Sequence, residues 1–142
     1  LAAASAAEVE PETQAMPETR TAITEIAVVM IPVSDQDAAL RFYTEVLGLE
    51  QVADIPYAGT YRWLEVAVPG ASTRISLVTP MEGFATGRPT GISFSTPDVA
   101  ALHAALSAAG VDVDELMAAA DPVPAMFFFR DPDGNTLHVT GG

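Results

Sequence analysis

Two side chains suited to acid–base chemistry stand on predicted strands far apart in the chain: Glu65 in the segment 61–68 and His138 in the segment 136–140. An imidazole changes its protonation near neutral pH, and a carboxylate in apolar surroundings holds its proton more tightly than one in water. If the two groups lie within hydrogen-bond reach, they could pass a proton to or from a ligand. In the alternative interpretation, Glu65 pairs with an arginine and His138 only lines a wall.

Aromatic side chains precede Glu65 on the same predicted strand. Tyr61 and Trp63 share a face with Glu65, because side chains alternate along a strand. The opposite face carries Leu64 and Val66, which suits it to the core. A planar ligand could stack on the aromatic face, and apolar walls with a few polar groups are typical of small-molecule sites.

An internal repeat indicates which elements position these groups. Residues 24–50 and 90–114 each contain an apolar run, an aspartate at a turn, an amphipathic helix and a glycine. Thirteen positions separate Asp35 from Gly48, twelve separate Asp98 from Gly110, and the two glycines are sixty-two residues apart. A strand–helix unit used twice predicts two half-modules with a site where they meet.

The fold class predicted from this pattern is α+β, with paired βαβββ modules that form an open, cup-shaped, mixed sheet and helices outside it. Residues 1–22 are expected to be a tail, and residues 23–142 a single domain with halves at about 23–80 and 90–142. The DPDGN sequence at 131–135 predicts a turn that sets the register of the last hairpin. Strands are expected at 23–33, 50–55, 61–68, 73–79, 91–96, 111–116, 125–130 and 136–140, and helices at 35–47 and 98–110.

Composition excludes several classes of function. The 142 residues carry a formal charge of −13 with six arginines and no lysine, which is unsuited to binding nucleic acid. No uncharged apolar run is long enough to cross a bilayer, so no membrane partner is predicted. The chain has no cysteine, which excludes thiolate metal sites and thiol catalysis. A cytoplasmic location is the simplest expectation.

Two stretches resemble a known family. PVSDQDAALRFYTEVLGLE at 32–50, followed late in the chain by FFRDPDGNTLHV at 128–139, is similar to the glyoxalase/bleomycin-resistance/extradiol-dioxygenase group, the vicinal oxygen chelate superfamily. The resemblance covers about residues 24–140. It implies the fold described above and a small-molecule site in the cup.

The resemblance also implies where a divalent metal would bind. Metal-using members place His or Gln in the first strand, His in the fifth and Glu in the last, and some add a Glu in the fourth. Alignment brings these positions to Val28, Gly91, His138 and Ser76, of which only His138 is a plausible ligand. No cofactor is therefore predicted, and a catalytic metal would need an arrangement other than that of the family.

Strand alternation within such a cup predicts which side chains face the ligand. Glu65 and His138 are the candidate catalytic pair. The remaining candidates for the ligand-binding cup are Ile26, Val28, Met30, Tyr61, Trp63, Ser76, Gly91, Ser93, Phe128 and Arg130.

Two functions remain open. The first is a metal-free protein that binds a small neutral or cationic organic molecule, as the drug-sequestering members do; their grooves at a dimer interface imply a homodimer. The second is a lyase, isomerase or dioxygenase-like enzyme of the same superfamily, which acts on an α-oxo or enolisable substrate with an atypical or absent metal site.

Overall fold

The structure, a computed structural model, describes residues 22–57 and 59–142, so the predicted tail lies almost wholly outside the described residues. Within these described ranges, eight strands and two helices follow one another in the order βαβββ–βαβββ. The first half contains β1 Val28–Pro32, α1 Gln36–Arg41 with a π-helical continuation Phe42–Val46, β2 Glu50–Tyr57, β3 Tyr61–Ala67 and β4 Arg74–Val78. The second contains β5 Pro89–Thr96, α2 Val99–Ala108, β6 Asp112–Val113, β7 Met126–Arg130 and β8 Thr136–Gly141.

The two halves form two four-stranded sheets with the same topology. Sheet I has the order β1-β4-β3-β2, and sheet II has the order β5-β8-β7-β6. In each sheet the first and last strands of the half pair in parallel, and the other neighbours are antiparallel. The predicted α+β class with mixed sheets is confirmed. Among the described residues, no helix is long and apolar enough to span a membrane.

The repeated aspartates and glycines act as the sequence predicts. The Asp35 side chain accepts a hydrogen bond from the Ala38 amide at 3.0 Å, and Asp98 does the same for Ala101 at 3.0 Å, so each caps the N-terminus of a helix. Gly48 and Gly110 follow the helices with φ of 81° and 84°. The first strand begins later than predicted, since residues 23–27 precede β1.

One hydrophobic core takes residues from both halves. Strand alternation directs the core faces of the sheets inward, with Leu64 and Leu77 from sheet I and Phe127 and Val139 from sheet II fully buried. Ala39 and Tyr43 of the first helix and Leu106 of α2 join the same cluster. The opposite face of each sheet, called here its outer face, therefore carries the side chains that are free to meet a ligand.

The DPDGN turn joins the halves in addition to closing the β7–β8 hairpin. The buried Asp131 carboxylate accepts hydrogen bonds from the Tyr43 hydroxyl at 2.8 Å and from the Asn135 side chain at 2.9 Å. Asn135 also donates to the Pro32 carbonyl at 2.8 Å, which ties the turn to β1. Asp133 accepts from the Ser34 amide at 3.1 Å. These hydrogen bonds, called here the clasp, form a polar contact within a largely apolar interface between the two halves.

Candidate functional site

The outer face of sheet I presents an aromatic platform formed by Tyr57, Tyr61 and Trp63. The rings of Tyr57 and Tyr61 stack with centroids 6.2 Å apart and planes 26° from parallel. The β2–β3 register places Ile55 opposite Trp63 and Tyr57 opposite Tyr61, because both pairs belong to one hairpin. A cavity of about 100 Å³ opens at this platform. Met30, Val78 and Met81 add apolar walls to it, and Arg62 and Thr79 add polar ones.

Glu65 lies beside the platform and is only 7% exposed. One carboxylate oxygen, Oε2, accepts a hydrogen bond from the Trp63 indole Nε1–H at 2.6 Å. The other, Oε1, lies 3.5 Å from a guanidinium nitrogen of Arg74. Both oxygens therefore have partners within sheet I, as in the alternative interpretation that pairs Glu65 with an arginine.

His138 lies at the centre of the outer face of sheet II. Its Nδ1 is 2.6 Å from the Ser93 hydroxyl, and its ring lies 4.7 Å from the Phe128 ring at 47°. The register explains both contacts, because Ser93 on β5 and Phe128 on β7 are the pairing partners of His138. Sheet II thus presents an imidazole held between a hydroxyl and an aromatic ring.

The structure does not bring the candidate catalytic pair together. Glu65 belongs to sheet I and His138 to sheet II, and no hydrogen bond or ion pair joins these two described residues. The cavity at Trp63 is lined by residues 30–81 alone. Within one chain, the residues predicted to line a single cup therefore occupy two separate outer faces.

The other candidate cup residues divide in the same way. The registers place one group on the outer face of sheet I and the other on the outer face of sheet II. Ile26 precedes β1 and is largely exposed. The sheet I group is Val28, Met30, Tyr61, Trp63 and Ser76, and the sheet II group is Ser93, Phe128 and Arg130. Gly91 lies at the register shift in β5 and lines a cavity with Val29 and Ile75 of the first half.

The guanidinium of Arg130 forms hydrogen bonds with two carboxylates. Its guanidinium donates to Asp112 at 3.1 Å and also to Asp114. These hydrogen bonds lower the pKa of Asp112 and of Asp114 and raise that of Arg130. Arg62 makes an equivalent double contact in the first half, with Asp37 and Asp54. Arg130 therefore serves a structural ion-pair cluster at the edge of sheet II.

The residues at the family's metal positions do not fit a divalent cation. Val28 offers no donor atom, the Ser76 hydroxyl is buried and donates to the Leu64 carbonyl, and His138 is engaged by Ser93. Gly91 has φ of 75° at a register shift in β5, where a residue with a ligating side chain would be strained. Among the described residues, no three His, Cys, Asp or Glu side chains come together as a metal site.

Two neighbours of the platform were missing from the sequence prediction. Ile55 could have been found from the hairpin, since a strand that pairs with 61–67 must place a side chain opposite Trp63. Met81 lies in the linker after β4, where no periodic pattern indicates direction. Its position depends on the Met81–Phe84 turn, which only the folded chain displays.

Comparison with known proteins assigns the family. The sequence model of the Glyoxalase/Bleomycin resistance protein/Dioxygenase superfamily matches residues 25–139. Uncharacterized protein YetH of Bacillus subtilis is 32% identical over 119 residues, which cover 81% of this chain and 96% of YetH.

Two solved structures share the fold. TnmS3, an antibiotic binding protein from Streptomyces sp. CB03234, is 36% identical, with a TM-score of 0.75 over 85% of this chain and 98% of TnmS3. A superfamily member from Sphaerobacter thermophilus is 32% identical, with a TM-score of 0.78 over 84% of this chain and 98% of its own. The chain belongs to the Glyoxalase/Bleomycin resistance protein/Dioxygenase superfamily.

Proposed function

We propose that this protein binds a small, planar organic molecule and holds it without chemical conversion or a metal cofactor. The observation that carries the proposal is the platform of Tyr57, Tyr61 and Trp63 at an apolar cavity on the outer face of sheet I. Aromatic side chains bind planar rings by stacking, and an indole offers the largest surface for it. The similarity to TnmS3, an antibiotic binding protein, supports binding as the function.

The state of Glu65 favours binding over proton transfer. Its carboxylate is engaged by Trp63 and Arg74, and His138 lies on the other sheet. A general base must lie within hydrogen-bond reach of the proton it removes, and the two candidate groups, on different sheets, form no pair that could relay one. No specific observation favours the lyase or isomerase alternative.

A homodimer completes the site in this proposal. Met30, Ile55, Tyr57, Tyr61 and Met81 are each between 48% and 59% exposed, which is unusual for side chains of this size gathered on one face. Contiguous apolar surface of this kind is typical of an interface or a ligand groove. A second copy can cover sheet I of the first with the Ser93, Phe128 and His138 face of its own sheet II, and a two-fold axis then creates two equal sites.

Fluorescence titration tests the binding function directly, because Trp63 is the single tryptophan of the chain. Acridone, a neutral planar molecule, is expected to quench Trp63 saturably. Trp63→Leu should weaken binding by about tenfold in calorimetry. Phe42→Leu, the same kind of change on the core side of the first half, should leave the affinity unchanged. Equal affinities for the wild type and Trp63→Leu would contradict the proposal.

Mixing two weakened variants tests the shared site, with binding capacity counted as the number of sites that have wild-type affinity. Trp63→Leu damages sheet I and Phe128→Ala damages sheet II, so neither homodimer retains an intact site. A co-expressed equal mixture should recover about a quarter of the wild-type capacity, since half of the random dimers are mixed and each of these has one intact site. Sedimentation equilibrium that shows only monomer, or a mixture that recovers nothing, would refute the dimer.

A further inference from the structure

The hydrogen bond between Trp63 and Glu65 has a specific geometry. The two residues are two positions apart on β3, so their side chains stand side by side on the outer face of sheet I. The indole Nε1–H points at Oε2 of the carboxylate across 2.6 Å. A hydrogen bond to an ionised acceptor is shorter and stronger than a neutral one.

This bond restrains the ring that forms the platform. Trp63 is half-buried on its strand, and the outer torsion of a tryptophan side chain is broad, so packing alone does not fix which face of the ring it presents. An acceptor fixed beside the N–H selects one orientation and so presents one face of the ring to the cavity. Glu65 can act as a fixed acceptor because it is nearly buried and its second oxygen faces Arg74.

The same contacts engage both oxygens of the Glu65 carboxylate within sheet I. One oxygen serves the indole, and the other lies 3.5 Å from the Arg74 guanidinium, whose own side chain is 56% exposed. A cationic ligand would have to compete with both partners for the carboxylate. The other groups at the cavity are aromatic or apolar apart from Thr79 and Arg62, and Arg62 is paired with Asp37 and Asp54. The ionic groups at this site are therefore paired with one another, which favours a neutral molecule over the cationic one that the sequence also allowed.

We propose that Glu65 is a positioning residue that locks the Trp63 indole as the stacking surface for a neutral planar ligand, and that it neither binds the ligand's charge nor moves a proton. The proposal rests on the binding function proposed above. It requires that the acceptor atom of residue 65, and not its negative charge, determines affinity.

Four variants separate these roles. Glu65→Gln keeps an acceptor oxygen and removes the charge, whereas Glu65→Leu removes both at similar volume. Glu65→Ala also removes both the acceptor and the charge, and it replaces the leucine variant if that variant does not fold, as judged by its thermal melt. Arg74→Gln keeps Glu65 and tests whether the exposed cation is needed.

The first readout needs no ligand. Time-resolved fluorescence of Trp63 should show one dominant lifetime in the wild type and in Glu65→Gln, and several lifetimes in Glu65→Leu, because the freed ring populates more rotamers. An unchanged decay in Glu65→Leu would overturn the positioning role.

The second readout is calorimetry with acridone and with 9-aminoacridine, its cationic planar counterpart. Acridone should bind Glu65→Gln within about threefold of the wild type and Glu65→Leu about tenfold more weakly. The wild type should not prefer the cation. A loss in Glu65→Gln as large as that in Glu65→Leu, or a wild-type preference for 9-aminoacridine that Glu65→Gln abolishes, would overturn the proposal in favour of charge recognition.

Failure of the proposed function has a different signature. If neither probe binds the wild type while the lifetimes still separate as expected, the planar-ligand function is refuted and the restraint on Trp63 stands.

Discussion

The two halves of the molecule share a backbone plan and differ in what they place on it. Each begins with a strand, caps a helix with an aspartate and ends the helix at a glycine, and each sheet has the same strand order. The outer face of sheet I carries aromatic rings and a carboxylate, whereas that of sheet II carries a hydroxyl, an imidazole and a phenyl ring. Few residues define the repeated backbone, so the outer side chains were free to diverge.

The last turn of each half shows the divergence most clearly. Residues 131–135 form a buried clasp to the first half through Asp131 and Asn135. The corresponding turn after β3, which contains Gly70 and Ser72, is exposed. The same position in the fold is thus an internal joint in one half and a surface loop in the other.

The largest expected effect comes from breaking the clasp. Asp131→Ala leaves the Tyr43 hydroxyl and the Asn135 amide without their acceptor in a buried setting, which should cost roughly 3 kcal/mol of unfolding free energy. Ser72→Ala, in the equivalent turn of the first half, should stay within about 0.5 kcal/mol. Urea denaturation measures both, and equal losses would show that the turns do not differ in energetic role.

Alkaline pH provides a second test of the clasp. Burial raises the pKa of Tyr43, and the charge of Asp131 raises it further. Below pH 10 the tyrosine is protonated whether the chain is folded or not; above it, the unfolded state ionises first. Stability should therefore fall above about pH 10 by up to about 1.4 kcal/mol per pH unit. Tyr43→Phe should reduce this slope in denaturation curves from pH 8 to 11, and an identical slope would refute the assignment.

The outer faces are expected to contribute unequally to binding. Trp63→Leu removes the centre of the platform and should cost about tenfold in affinity for acridone, whereas Phe128→Leu should cost only about threefold, since the phenyl ring already packs at a tilt against His138. Calorimetry compares the two variants directly. A larger loss for Phe128→Leu would move the main ligand contact to sheet II.

The smallest effects should come from the matched ion-pair clusters. Arg62 joins β3 to Asp54 on the edge strand β2, and Arg130 joins β7 to Asp112 on the edge strand β6. Exposed pairs of this kind contribute little, and salt screens them. Arg62→Gln and Arg130→Gln should each produce a small decrease in melting temperature that disappears in 1 M salt. A large, salt-independent decrease for only one of them would reveal a buried role for that arginine.

The fold could be predicted because its signals are local. The Asp35–Gly48 and Asp98–Gly110 spacings predict where the helices begin and end. The alternation of apolar and polar side chains along residues 61–67 separates the core face of the strand from its outer face. The π-helical end of the first helix gave no such signal. Ordinary helical spacing would place Val46 on the same side as Tyr43, but Val46 is exposed in the structure, where Phe42–Val46 form a wider, π-helical turn.

The site could be predicted only in part, because its residues come from strands that are distant in sequence. Alternation gives the face on which Glu65 and His138 stand but not whether those faces meet. The pairing of Ser93 with His138 depends on a parallel register between β5 and β8, which the sequence does not state. Likewise, the DPDGN sequence predicts a turn, but its hydrogen bonds to Tyr43 and Pro32 form only when the two halves pack together.

The sequence by itself determined the repeated βαβββ order, the helix ends, the two faces of each strand and a composition unsuited to nucleic acid. The secondary structure depends on residues a few positions apart in the sequence, and the net charge is a sum over the whole chain. The tertiary structure decided that the core faces share one interior, that Glu65 accepts a hydrogen bond from Trp63, and that the cavity at Trp63 is lined by residues of the first half and the linker after it. Such outcomes depend on how two sheets pack in space, where contacts join residues up to about a hundred positions apart.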